Sequence, residues 1–226
     1  MFRYMNTAFI IPTAISDSSV PMHATEQCLQ TIKSIEALPT LCGIGIVEYS
    51  AQPILAEFQE KLLDRTSFIA AYQRDDKINA LANSITPLQS TTLSHIAGLA
   101  WFFGVCAVNN IFPQKTQIIV IEPGMTIDQT IFEQITSLQH QDKYIFAPPK
   151  SSTLSKDQTG GIFLQLNTQI WSLTSDKLED IADVLNKSVH YTYERLLEHG
   201  HADLSHTLFK FINSSDIFFL KQLEQS

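Results

Sequence analysis

Four carboxylates and a run of histidines are the side chains whose placement could do chemistry. Glu48 closes the apolar run Gly43-Ile-Gly-Ile-Val, and Glu122 closes Ile118-Ile-Val-Ile. A carboxylate at the end of a buried strand lies where open α/β sheets bind ligands, and it can accept hydrogen bonds or hold a hard cation. The plain alternatives are a solvated strand end for Glu48 and, for Glu122, a capping charge near the next helix, contributing about 0.3–1 kcal/mol. Pro123-Gly124-Met125 forces a turn after Glu122, and Asp128 follows in that turn. His199, His201, Asp203 and His206 form the densest titratable set. Asp203 and His206 are spaced to share a helix face, where a carboxylate or imidazole can take a proton from a hydroxyl. Alternatively Asp203 is an N-cap and the histidines lie on the surface. The cluster has no His-x-x-x-His pair, which argues against zinc. Arg74-Asp75-Asp76-Lys77 either supplies a cation for an anionic group or is a solvated loop of balanced charge. Thr13 and Ser16 end the first apolar run, as hydrogen-bonding partners for a ligand or as ordinary turn residues.

The elements that must position these groups alternate in type. Ala8 to Ser16 is continuous and β-rich, as in a strand buried on both faces. A helix opens at Thr25, buries Cys28, Leu29, Ile32, Ile35 and Leu38 on one face, and ends at Pro39. Strands follow at Leu41–Ser50 and Thr66–Tyr72, with a helical segment from Pro53 to Leu63 between them. This succession is the βαβ signature of an α/β fold with a mostly parallel sheet. Ile78 to Leu88 is mixed, with Pro87 as punctuation. Thr91 or Thr92 is the expected cap of a long helix whose Trp101, Phe102 and Phe103 belong to the core. Thr116–Glu122 is the clearest strand, and a helix follows from Thr126 to Ile135. Tyr144–Ala147 is a short strand, Pro148–Gly161 a loop by composition, and Gly161–Leu173 a strand or hairpin arm. Helices are expected at Lys177–Leu185, Val189–Glu198 and Asp203–Ile212, with a short tail from Phe218 to Leu223. No repeat or low-complexity linker divides the chain, so one domain is the simplest account.

Composition narrows the class. The chain has 226 residues, 44% hydrophobic and 17% charged, with a formal net charge of −8. Charged residues fall below the roughly 25% of ordinary domains, which excludes a disordered segment and leaves ample material for a core. Eight surplus negative charges without a basic patch argue against nucleic-acid binding. The odd number of cysteines, Cys28, Cys42 and Cys106, reads as buried thiols in a reducing compartment. The longest apolar stretch, Ile96–Val108, is shorter than the roughly 20 residues of a membrane span. A soluble, cytoplasmic protein is expected, with peripheral attachment to a membrane still compatible. The first strand is followed by Ser16-Asp-Ser-Ser-Val-Pro21, without the glycines of a dinucleotide fold. A P-loop, a Gly-x-Ser-x-Gly elbow and the Gly-rich, Arg-containing loop of sugar nucleotidylyltransferases are also missing from the sequence.

The pieces assemble into a family pattern. The opening strand with its polar turn, the helix Glu26-Gln-Cys-Leu-Gln-Thr-Ile-Lys-Ser-Ile35 and the strand ending Ile-Val-Glu48-Tyr49-Ser50 resemble the nucleotide-binding start of GT-A glycosyltransferases, bacterial polysaccharide-type members in particular. Leu166–Leu173 and Asp203-Leu-Ser-His206-Thr-Leu-Phe resemble the later strand and acceptor-side helix, so the likeness spans about residues 8 to 212. It implies a single GT-A-like domain, with about 1–135 as the nucleotide-binding half and about 136–226 as the acceptor side. The implied partners are a nucleotide-sugar donor and a carbohydrate or other hydroxyl acceptor. The implied donor-binding set is Thr13, Glu48, Ser50, Arg74, Glu122 and Gly124, with Glu48 at the nucleobase or ribose. Asp203 and His206 are the implied catalytic groups, acting on the acceptor hydroxyl. Glu122-Pro123-Gly124 stands where such enzymes carry Asp-x-Asp, the motif whose hard oxygen ligands hold a divalent cation against the diphosphate. One carboxylate is missing there. The resemblance leaves three outcomes: Asp128 joins Glu122 as a ligand for Mg or Mn, a Lys or Arg replaces the metal, or transfer is lost and a scaffold or regulatory protein remains. An unrelated α/β protein that only mimics the pattern is a further alternative.

Overall fold

The computed structural model describes residues 6–17 and 21–221, and residues 18–20 of the turn after the first strand lie outside them. The chain runs β1 (Thr7–Thr13), α1 (Pro21–Glu36), β2 (Gly43–Glu48), α2 (Ala56–Leu63), β3 (Phe68–Ala71), α3 (Asp76–Ala82), α4 (Pro87–Asn109), β4 (Gln117–Ile121) and α5 (Gln129–Ser137). It continues through β5 (Tyr144–Ser151), α6 (Lys156–Thr159), β6 (Leu164–Thr174), α7 (Leu178–Leu197), α8 (Leu204–Phe211) and β7 (Ile217–Phe219). Among the described residues the strands form one sheet in the order β3-β2-β1-β4-β6-β5-β7. β1, β2, β3 and β4 are parallel neighbours, whereas β6 runs antiparallel to both β4 and β5. The sheet is therefore mixed and mostly parallel.

Each central strand is apolar on both faces because helices cover both. Ala8, Ile10, Ile118 and Val120 pack with α4, α7 and α8, and the alternate residues Phe9, Ile11, Ile119 and Ile121 pack with α1, α2 and α5. All of these strand residues are fully buried, and each large aliphatic one stabilises the fold by about 1.5–3 kcal/mol.

Several boundaries differ from those read in the sequence. α1 starts at Pro21, ahead of Thr25, whose hydroxyl donates back to the Pro21 carbonyl. α4 opens at Pro87, not at Thr91 or Thr92, because Thr86 and Gln89 form a reciprocal capping box and proline suits the first helical position. The helices expected at Lys177–Leu185 and Val189–Glu198 are one, α7. The polar break between them holds no helix breaker, Ser188 donates its hydroxyl to the Val184 carbonyl, and Lys187 pairs with Asp183. β5 extends through Pro148 and Pro149 into the expected loop; an irregular register with β6 accommodates the prolines there. The expected tail forms β7 as far as Phe219, and residues 222 and 223 lie outside the described ones. Phe102 and Phe103 are core, as is Trp171, which stacks on Phe146 with 5.7 Å between ring centres. Trp101 is not core. It is 37% exposed at one edge of α4, tilted against Tyr72.

Candidate functional site

The carboxyl ends of β1, β2, β3 and β4 lie along one edge of the sheet. Glu48 is in register with Thr13 there, and its carboxylate ties two loops together. Oε2 accepts from the Ile15 N–H at 3.2 Å, and Oε1 accepts from the Ser50 N–H at 3.1 Å. Ser50 Oγ in turn accepts from the N–H groups of Ser16 and Asp17, at 3.0 and 3.2 Å. Asp17 accepts from the Ala51 N–H and pairs with the Arg74 guanidinium, which brings in the loop after β3. Burial pushes the Glu48 carboxyl up, and its hydrogen bonds from Ser50 and Ile15 pull it back. Together these loops border a cleft of about 330 Å³ lined by Glu48, Ser50, Tyr72, Gln73, Arg74 and Asn79. That volume is within the range of small-molecule pockets. Thr13 is turned inward: its hydroxyl accepts from the Cys28 thiol at 3.5 Å, and its carbonyl accepts from the Tyr49 N–H at 2.9 Å.

Glu122 follows β4 and continues its alternation, so its side chain points to the α4 face. Its Oε1 lies 3.4 Å from His95 Nε2, and neither of these buried atoms has a hydrogen-bond partner. His95 also stacks on Tyr49, with 5.0 Å between ring centres and 19° between planes. Gly98, one turn further along α4, permits this approach, because a Cβ there would sit 2.8 Å from the Cβ of Tyr49. Burial dominates the titration of the pair. It pushes the Glu122 carboxyl up to about 8 and the His95 imidazole down to about 4. Around neutral pH the pair holds one proton, on the carboxyl, beside a neutral imidazole.

Glu48 and Glu122 flank the end of β1, since the sheet order there is β2-β1-β4. Both are near enough to Cys28 and Tyr49 to oppose their ionisation. Strand alternation nevertheless sends Glu48 to the α1 face and Glu122 to the α4 face, and Glu122 does not line the Glu48 cleft.

Gly124 shapes the turn after β4. The Met125 N–H donates to the Glu122 carbonyl at 3.1 Å across Pro123 and Gly124, and Gly124 has φ of +83°. This is a type II turn, with proline and glycine at its central positions. The Gly124 N–H donates to the Gln27 carbonyl and the Thr31 hydroxyl of α1, so the residue anchors the turn. Asp128 is the N-cap of α5, accepting from the Ile131 N–H at 2.8 Å. Among the described residues, no group of three or more His, Cys, Asp or Glu side chains is arranged to hold a metal ion. Of the two carboxylates named as cation ligands, Glu122 faces His95 and Asp128 caps α5 through Oδ1.

Asp203 caps the first turn of α8, as the plainer reading had it, but His206 is buried and not on the surface. Asp203 Oδ1 accepts from the His206 N–H at 3.1 Å and is also bonded to His206 Nδ1 at 2.7 Å. The His206 ring is 1% exposed, and its Nε2 lies 2.7 Å from the hydroxyl of Ser152, just after β5. Hydrogen bonds from His206 and Ser205 hold the Asp203 carboxyl well below the usual carboxylate range against the opposing effect of burial. The Asp203 charge favours protonation of His95, against the larger effect of burial. The His201 imidazole, just before α8, is pushed down by burial.

Sequence reasoning missed Asp17, Tyr49, His95 and Ser152. His95 had a signal: it is a histidine inside a helix that contains no Asp, Glu, Lys or Arg. Ser152 had none, since it is one serine in a polar stretch.

No protein-family model and no curated protein matches the chain by sequence. Solved structures do match its fold. Core-mannan synthase A from Aspergillus fumigatus, in its Mn/GDP form, aligns over 96% of this chain and 73% of its own, with a TM-score of 0.52 and 12% identity. A mannosyltransferase of S. cerevisiae in complex with GDP aligns over 96% and 69%, with a TM-score of 0.52 and 10% identity. Mouse xyloside xylosyltransferase 1, in its apo form, aligns over 96% and 84%, with a TM-score of 0.50 and 12% identity. The chain thus has the GT-A-type fold of nucleotide-diphospho-sugar transferases. At the end of β4 this chain carries the Glu122-Pro123-Gly124 turn, with the His95 imidazole set against Glu122.

Proposed function

We propose that this protein binds a nucleoside-diphosphate sugar at the carboxyl ends of β1 to β4 and transfers the sugar to an acceptor hydroxyl. A cytoplasmic role in building a surface polysaccharide is the setting we infer. The observation that carries the reading is the cleft of Glu48, Ser50 and Arg74 at the ends of adjacent parallel strands, in a GT-A fold. The nucleoside would enter this cleft, with Arg74, which is paired with Asp17, as the cation nearest the diphosphate. The start of α8 would face the acceptor, while Glu122 stands against His95, on the sheet face opposite to that of Glu48. Two of the similar structures hold GDP, which supports this choice of ligand class. Isothermal titration against a panel of UDP- and GDP-sugars, with and without Mn²⁺, tests the reading. Micromolar binding to at least one of them is expected, and no binding across the panel would count against it.

A second reading rests on the turn after β4. Gly124 stands in place of a second carboxylate and Asp128 is engaged as a helix cap, so the fold could serve as a nucleotide-sensing scaffold or regulatory subunit without transfer. Nucleotide-sugar binding by the wild type without nucleotide release, and with affinity unchanged in Glu122→Ala, would favour this second reading.

A further inference from the structure

An acidic cavity lies at the edge of the sheet opposite the Glu48 cleft. β5 runs antiparallel to β6, which runs antiparallel to β4, so β5 points the same way as β4. Its first residue, Tyr144, therefore stands at the amino ends of the strands. There the start of α7 and the connection from α8 to β7 border about 270 Å³, with no residue in common with the Glu48 cleft. Val184, Phe211 and Ile212 supply apolar walls, and Asp180, Asp183 and Asp216 also line the space. Asp180 and Asp183 are three apart on α7 and share one side of that helix, while Asp216 comes from the opposite wall, just before β7.

The tyrosine points to a ligand. Tyr144 is 3% exposed, and its buried hydroxyl has no hydrogen-bond partner. Buried hydroxyls are ordinarily paired, so this oxygen is an unused acceptor. Burial pushes the phenol up, and the charges of Asp180, Asp216 and Asp142 push the same way, so the hydroxyl keeps its proton in negative surroundings. The neighbouring lysines do not use it. Lys177 is shared between Asp180 at 3.6 Å and Asp142 at 4.0 Å, and lies over the face of the Tyr144 ring. Lys187 pairs with Asp183, and Lys143 donates to the Ser215 carbonyl. Among the described residues, no ion pair or side-chain hydrogen bond reaches the Asp216 carboxylate.

This chemistry selects a cation with an apolar body. An anion would meet three carboxylates. A metal ion would need converging ligands, and no group of three or more His, Cys, Asp or Glu side chains among the described residues is so arranged. An alkylammonium instead brings three N–H donors and a methylene chain. We propose that the cavity binds a small aliphatic amine, whose ammonium donates to Tyr144 Oη and to the Asp216 carboxylate while its carbon chain lies against Val184, Phe211 and Ile212. This site does not rest on the transferase reading, and either can fail alone.

Isothermal titration of the full chain with pentylamine and cadaverine, at constant ionic strength, tests the proposal. Pentanol and Mg²⁺ are the controls, since one has only the chain and the other only the charge. Saturable binding of one amine per chain is expected, with both controls at least about tenfold weaker. Asp216→Asn should weaken amine binding about tenfold. Tyr144→Phe should weaken it similarly without lowering the melting temperature, because the hydroxyl it removes has no partner in the protein. Affinity for any UDP- or GDP-sugar that binds should be unchanged in both variants. Absence of saturable amine binding, an amine affinity matched by Mg²⁺ or pentanol, or an unchanged amine affinity in either variant overturns the assignment.

Discussion

The Glu122 carboxylate and the His95 imidazole face each other at 3.4 Å with no other partner for the facing atoms, although they come from a strand end and from the middle of a hydrophobic helix. Their opposite shifts give stability a defined pH dependence. Glu122 is raised to about 8 in the folded protein, so its contribution is complete below the ordinary carboxylate range and is lost as pH rises through about 8. His95 is lowered to about 4, so its contribution is present above the ordinary imidazole value of 6.5 and is lost as pH falls toward about 4. The two nearly cancel in weak acid, and Glu122 alone acts above neutrality. A quarter of the Glu122 side chain reaches solvent, which holds the effect to about 2 kcal/mol. Glu122→Gln should match the wild type near pH 5 and melt about 5 °C higher at pH 9. Thermal scans across that range check it, and parallel curves would contradict the assignment of the proton to Glu122.

Glu48 should matter for folding as well as for binding. Its two oxygens satisfy the backbone N–H groups of Ile15 and Ser50. Glu48→Gln keeps one acceptor oxygen and turns an amide donor toward the other N–H, at a cost of about 1–3 kcal/mol. Urea denaturation should show an earlier midpoint with an unchanged m-value. Donor affinity should fall as well, because the same carboxylate aligns the loops around the cleft.

Gly98→Ala sets two effects against each other. Alanine favours a helix over glycine by about 0.8–1 kcal/mol. The new Cβ, however, would lie 2.8 Å from Tyr49, and overpacking costs about 1–3 kcal/mol. The net effect should be a loss of about 1 kcal/mol, with α4 displaced and His95 moved from Glu122. A flatter pH dependence of melting in this variant would report that separation.

Gly124→Ala acts through the backbone alone. The added Cβ would meet Gln27 at 3.5 Å, an ordinary contact, but φ of +83° strains any L-residue with a side chain by about 1–2 kcal/mol. A drop in melting temperature of about 2–8 °C is expected. A variant with unchanged stability would mean that the turn has rearranged.

What the sequence disclosed divides along physical lines. The parallel strands were readable because burial on both faces leaves unbroken apolar runs such as Phe9-Ile-Ile and Ile118-Ile-Val-Ile. The edges were less so. β7 has only three residues, and β5 passes through two prolines that composition assigns to a loop. Glu48 and Glu122 were visible as acids ending strands, but their opposite faces depend on counting alternation from the true strand ends. His95 and Ser152 take their places only through packing between distant segments, as α4 meets β2 and the residue after β5 meets His206 of α8. Asp128 illustrates the reverse, because a carboxylate in the right turn is held by the helix it starts.

The placement of β4 has a consequence for biosynthesis. One of its neighbours, β1, precedes it in the chain, but the other, β6, ends only at Thr174. On the ribosome, a nascent chain that has extruded β1 to β4 carries a largely apolar strand with one bare row of amide and carbonyl groups until β6 emerges. That interval is when a chaperone would engage this chain and when a stalled or truncated product would aggregate.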